Sequence, residues 1–168
     1  STLDWAERGV VITQRTSCPY EDTTRLWLSG GGQFVLKVRV PKWATKGCYV
    51  TINGEKADVT AEPGTYLALA RDWRDKDVVE LRMPFPWHLD RVMDQPNIAS
   101  LFYGPVLLAA EETEPRSDWR PVTLEAKDLG KSITGDPATL RFAVGEVAFR
   151  PFFEMYGRYS VYLDVTLK

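Results

Sequence analysis

Arg91–Glu112, RVMDQPNIASLFYGPVLLAAEE, is polar as far as Gln95-Pro96-Asn97 and then almost unbroken apolar from Ile98 to Ala110. Tyr103-Gly104-Pro105 interrupts the run. Val106-Leu107-Leu108-Ala109-Ala110 follows as a short apolar block closed by Glu111-Glu112. Apolar residues at both parities over so few positions indicate a central strand covered on both faces. The segments around it alternate with period two, as half-exposed strands do, and need such a centre to pack against.

Working backward from that stretch, Gly9–Gln14 and Thr24–Ser29 form the first two expected strands, with Leu26 and Leu28 on one face and Arg25 and Trp27 on the other. Gly30-Gly31-Gly32 is expected to be a flexible connection. Gln33–Val40 alternates most cleanly: Phe34, Leu36, Val38 and Val40 point one way, Val35, Lys37 and Arg39 the other. Cys48–Asn53 comes next, and Asn53-Gly54 is a two-residue hairpin signal, because both central positions of a type I′ turn need positive φ. Tyr66–Ala70 and Val78–Met83 are strands separated by the charged loop Asp72-Trp73-Arg74-Asp75-Lys76-Asp77. Short strands, frequent turn signals and no long helical stripe predict an all-β chain built as an antiparallel β-sandwich.

Working forward, the character changes after Glu112. Residues 111–120 are polar, 123–136 have no firm period, and strand character returns at Leu140–Val144, Val147–Phe149 and Tyr159–Leu167. In the last of these, Val161, Leu163, Val165 and Leu167 are expected on one face. The expected organisation is a sandwich over residues 1–112 and a β-rich segment over 113–168, which either completes the first core or starts a second.

Composition sets bounds. The 168 residues are 44% hydrophobic and 26% charged, with a net charge of −2, so no basic footprint for nucleic acid or an anionic membrane is present. No apolar run approaches the ~20 residues of a membrane helix. The opening Ser1-Thr2-Leu3-Asp4-Trp5 is amphipathic and unlike a signal peptide, as expected of a cut inside a longer protein. Two cysteines, Cys18 and Cys48, are too few for a four-ligand zinc site. They are expected to be buried thiols, with a disulfide between them left open for an exported parent. The single histidine, His88, has no histidine partner for a metal and is expected to be structural or solvent-facing.

Several pieces carry a resemblance when taken in order. They are GVVITQ (9–14) with the Tyr20 turn, FVLKVRVPKWA (34–44), VTING (50–54), PGTYL (63–67), Asp72-Trp73 before VVEL (78–81), and YGPVL (103–107). The ordered set resembles the middle β-sandwich domain of glycoside hydrolase family 127, the β-L-arabinofuranosidase family. PFFEMYGRYSVY (151–162) is similar to the C-terminal segment of many bacterial members. The resemblance implies a parent enzyme, periplasmic or secreted, with an N-terminal (α/α)6 catalytic barrel as the partner of this chain and an arabinose-containing glycan as substrate. It also implies that the active site, with a zinc-bound cysteine, lies in that barrel. Neither Cys18 nor Cys48 matches those ligands, so no catalytic residue, metal ligand or cofactor is assigned here.

The remaining candidates are a carboxylate and a set of aromatics. Glycosidases need two carboxyl groups ~5 Å or ~6.5–9.5 Å apart. Glu154, inside Phe153-Glu154-Met155-Tyr156, is the one acidic residue in an aromatic setting; it is either a raised-pKa acid or a residue that anchors Arg158 or caps a turn. Trp27 with Arg25 on an outward face, and Trp43, Trp73 and Trp119 in turns or loops, offer either flat sugar platforms or a contact surface for the absent barrel. The expected role is therefore non-catalytic bracing. An autonomous carbohydrate-binding module is the alternative, and a hydrolase acting through Glu154 a third reading.

Overall fold

The period-two segments become strands, and no α-helix forms anywhere in Ser1–Lys168, the residues described by the computed structural model. Two units divide at Phe85/Pro86. This corrects the expected boundary after residue 112. The polar stretch 113–119 is a surface loop inside the second unit, because the strands on both sides of it, ending at Glu112 and starting at Arg120, belong to one sheet.

Ser1–Phe85 contains eight strands: β1 (Thr2–Trp5), β2 (Val10–Thr16), β3 (Thr23–Ser29), β4 (Gly32–Arg39), β5 (Tyr49–Ile52), β6 (Glu55–Lys56), β7 (Tyr66–Trp73) and β8 (Val78–Arg82). Six form one sheet in the order β1-β2-β3-β8-β5-β6; β4 and β7 form a separate two-stranded sheet. All pairings are antiparallel. The shared core draws Val10, Ile12, Leu26, Leu28, Val50, Val79 and Leu81 from the large sheet and Leu67, Leu69 and Trp73 from the small one. Alternate residues of each sheet thus meet in one apolar layer, which is the sandwich the sequence predicts. Phe34, Leu36 and Val38 pack against this core, while Val35 is exposed. Asn53 and Gly54 both take positive φ, 53° and 84°, and join β5 to β6 as the hairpin signal requires.

The Gly30-Gly31-Gly32 connection is not the flexible link expected. A Cβ on Gly30 would lie 2.0 Å from the Gly9 carbonyl oxygen, and one on Gly31 would lie 2.4 Å from that of Trp73. Gly32 already belongs to β4. At Gly30 and Gly31 backbone passes backbone too closely for any side chain, whereas Gly32 has open space around it and takes a positive φ of 121°.

Pro86–Lys168 holds β9 (Trp87–Val92), β10 (Gln95–Tyr103), β11 (Val106–Glu112), β12 (Arg120–Leu124), β13 (Thr134–Asp136), β14 (Arg141–Val144), β15 (Val147–Pro151), β16 (Arg158–Ser160) and β17 (Leu163–Leu167). The sheet runs β12-β17-β10-β11-β15-β14-β13, with β9 added to β10 and β16 to β11. It is antiparallel except for β12 against β17, which is parallel. The sheet curls around its own core, since residues from β12 and β17 at one end share an apolar cluster with β14 and β15 at the other.

The stretch 91–112 becomes the β10–β11 hairpin, with Tyr103 opposite Val106 across Gly104-Pro105. Leu108, Ala109 and Ala110 are all fully buried, so β11 is covered at both parities as its sequence predicts. The expected single strand Tyr159–Leu167 is corrected to two. β16 pairs with β11 and β17 with β10 and β12, because the chain changes edge at Val161-Tyr162. Leu163 and Val165 are buried, but Leu167 is exposed.

Candidate functional site

In Ser1–Phe85 the aromatic candidates do not form one surface. Trp27 lies on β3, opposite Thr13 and Val78, and is half-buried; the Arg15 guanidinium stands 5.5 Å from its ring centre. Its face is therefore occupied by a cation rather than left flat and open. Arg25, its neighbour on that face, is held by Glu80 across β8 at 2.5 Å. Trp43 is half-buried edge-on against Phe85 at 5.5 Å. Trp73 is a correction: it is the last residue of β7, not a loop aromatic, and is only 1% exposed. It stacks on Phe34 at 5.8 Å and donates Nε1–H to the Phe34 carbonyl at 3.2 Å, satisfying its one polar atom. Beside it, burial pushes the Asp77 carboxyl up. Hydrogen bonds from Asn53 Nδ2 and the Arg74 amide, with the charges of Arg71 and Arg74, outweigh burial and hold it below its ordinary value. Asp77 ties the turn at its own loop to the hairpin at Asn53 and is a structural carboxylate.

In Pro86–Lys168 the exposed aromatics gather toward the C-terminus. Trp119, 50% exposed, meets Tyr162 edge-to-face at 5.9 Å; Phe152 meets Tyr159 at 5.4 Å. Phe153 is exposed as well, and Tyr156 is 96% exposed. Glu154, in the 3-10 turn Phe152–Glu154, pairs with Arg141 of β14 at 2.6 Å. Arg141 thus comes to Glu154 from a different strand. Arg150 of β15 pairs likewise with Glu111.

The sequence offered no reason to single out Glu112, yet it is the most heavily engaged carboxylate. Its side chain is 4% exposed. It accepts hydrogen bonds from Arg120 Nε at 2.9 Å, from Arg120 Nη2 and from Ser160 Oγ at 2.8 Å, with Arg116 Nε at 3.9 Å. Burial pushes Glu112 up; the Arg120 and Ser160 hydrogen bonds and the two guanidinium charges overcome it and hold the carboxyl below its ordinary value. A general acid needs the opposite shift. The sole signal available was the i,i+4 spacing from Glu112 to Arg116, a pattern too common to point anywhere.

No group of three or more His, Cys, Asp or Glu side chains is placed to hold a metal ion. Cys18 and Cys48 are both free thiols. Cys18 is exposed, against the expectation of burial, and Cys48 is half-buried. His88 is half-buried and stacked on Phe102 at 5.0 Å; burial lowers its pKa, favouring the neutral ring.

Comparison with known proteins bears on the whole chain. The family described as "Beta-L-arabinofuranosidase, GH127 middle domain" matches residues 1–85, the first of the two units. Three solved structures are similar over nearly the full length. One is described as a glycoside hydrolase (TM-score 0.73, 20% identity, 98% of this chain and 34% of that one). Another is a GH127 β-L-arabinofuranosidase from Geobacillus stearothermophilus T6 (TM-score 0.74, 21% identity, 99% and 32%). A third is a GH127 β-arabinofuranosidase (TM-score 0.71, 18% identity, 99% and 33%). The chain thus spans about a third of the length of these relatives. No curated protein matches it. With half of its residues, one entire unit, matched by the middle-domain family, the chain belongs to the GH127 β-L-arabinofuranosidase family as a carrier of its middle domain.

Proposed function

We propose that the chain is the non-catalytic bracing region of a longer glycoside hydrolase of the β-L-arabinofuranosidase type. It supports the catalytic barrel and helps to shape the approach of an arabinose-containing glycan. The observation that carries this reading is the exposed aromatic set Trp119, Phe152, Phe153, Tyr156, Tyr159 and Tyr162 on the second unit. Aromatics exposed in such number belong to an interface, where they supply contact area at little cost in side-chain entropy. The ion-paired carboxylates are consistent with it, since Glu112 is held ionised rather than poised to give a proton.

The test is association of residues 1–168 with the separately produced remainder of the parent. Binding that Phe153→Ser with Tyr156→Ser weakens is the expected result. No association, or hydrolysis of an aryl arabinofuranoside by residues 1–168 alone, overturns the reading. The sugar-platform alternative is less favoured at Trp27, whose ring is half-buried rather than exposed in a groove.

A further inference from the structure

The small sheet of the first unit is only two strands wide, and β4 pairs with β7 alone. Strand β4 is eight residues long, Gly32–Arg39. The direction of its amides follows from the ladder. The Val40 amide donates to the Thr65 carbonyl at 2.9 Å, in register with Arg39 opposite Tyr66 and Val38 opposite Leu67. Hydrogen-bonded and non-bonded pairs alternate along an antiparallel ladder. Val38, Leu36 and Phe34 therefore bond to β7, while the backbone groups of Gln33, Val35, Lys37 and Arg39 point to the other edge.

That free edge borders a groove of about 390 Å³. Its apolar lining includes Leu3, Ile12, Leu26, Leu36, Val38 and Met83. Ser1 and Thr2 line it too, so the start of β1 lies at the groove. A long strand edge beside an apolar groove is a template for another strand. Lys37 and Arg39 also border the groove, but they are exposed and share the outward parity with Val35, so the inward residues of β4 along it are Leu36 and Val38.

We infer that β4 is completed by an extended segment of the same polypeptide lying outside residues 1–168, which adds to the small sheet as a third strand. The inference rests on the reading of the chain as one part of a longer hydrolase, whose relatives extend to about three times its length. A segment that flanks the chain is delivered to this edge by Ser1–Leu3 and pays little entropy to reach it. The chemistry of the segment also follows. Alternate residues enter the groove and are apolar. The residues between them lie across from Lys37 and Arg39 on the outer face, and acidic or hydroxyl side chains suit that position.

The experiment is residue-resolved hydrogen exchange on the longer polypeptide and on residues 1–168. In the longer polypeptide the amides of Val35, Lys37 and Arg39 exchange about tenfold more slowly, or more, than in residues 1–168. The amides of Leu36 and Val38 are protected in both. Lys37→Pro in the longer polypeptide removes protection at Val35 and Arg39 and leaves Leu36 and Val38 unchanged, because the lost donor faces away from β7. Fast exchange at Val35, Lys37 and Arg39 in both proteins overturns the inference, even when the aromatic surface of the second unit is protected and the bracing role stands. Protection that appears in residues 1–168 alone and grows with concentration overturns it in favour of a second copy at the edge.

Discussion

Arg120→Ala is the substitution whose consequence the structure determines most closely. Arg120 begins β12, and its guanidinium grips the Glu112 carboxylate at the end of β11. Ser160 of β16 holds the same carboxylate. One buried charge thus joins two consecutive strands and a third that follows 48 residues later. Removing one partner of a buried pair costs about 3–5 kcal/mol, because the other charge is left desolvated. Ser160 and the more distant Arg116 remain, so the low end, about 3 kcal/mol, applies. That is a large share of the ~5–15 kcal/mol that keeps a domain folded.

The pH dependence carries a sign. In the native chain Glu112 titrates below 4.5, so its contribution is full above that value and is lost as pH falls through the folded value. In Arg120→Ala, burial is the dominant influence left, and Glu112 titrates above 4.5. Protonation then relieves the stranded charge. The gap between variant and native protein is widest at neutral pH and closes on acidification. The assay is urea unfolding at neutral pH and in steps down through 4.5, fitted with one transition per unit. A neutral-pH gap under about 0.5 kcal/mol, or a gap that does not change with pH, refutes the reasoning.

Other consequences follow from single contacts. Trp73→Ala destabilises the first unit by about 3–5 kcal/mol in denaturant titration, whereas Trp27→Ala, on a partly exposed face, costs about 1 kcal/mol or less. Gly31→Ala forces the β4 entrance away from the Trp73 carbonyl and lowers the melting temperature of the first unit in calorimetry, although Gly31 itself needs no positive φ. Asn53→Ala removes the Asp77 and Val78 bonds at once, costs about 2 kcal/mol, and raises the Asp77 titration seen by NMR. His88 is expected to titrate below 6.5 by NMR, so its contribution to stability is full above 6.5 and is lost as pH falls from there through the lowered folded value, because the unfolded chain takes up the proton first.

How much was legible without coordinates differs between units and between kinds of residue. Period-two alternation placed β4, β5 and β8 correctly, because side-chain parity is set by local backbone geometry and each face meets one environment; β11 was legible as a short apolar run at both parities. Asn53-Gly54 was legible for the same local reason. The family was legible from ordered short motifs, each tied to a strand or turn of the matched unit. The unit boundary was not: polarity at 113–119 looks the same whether a loop leaves a domain or only crosses its surface. Tyr159–Leu167 kept its parity on paper while the chain changed edge, and nothing in an alternating pattern records which strand lies alongside.

Side-chain function depended almost wholly on tertiary structure. Trp73 and Trp119 both sit among charged residues in sequence, yet one is sealed in the core and the other half in solvent. The difference is the partner Phe34 supplies from 39 residues away. Glu154 was visible as unusual, but its partner Arg141 comes from another strand. Glu112 became distinctive only when Arg120 and Ser160 converged on it. By itself, the sequence determined that the chain is all-β, where most strands run and which family it joins, because those follow from local periodicity and motif order. Which aromatics are exposed, which carboxylates are locked and which strand edge is left open were decided by long-range pairing, because burial and charge partners are properties of neighbours in space.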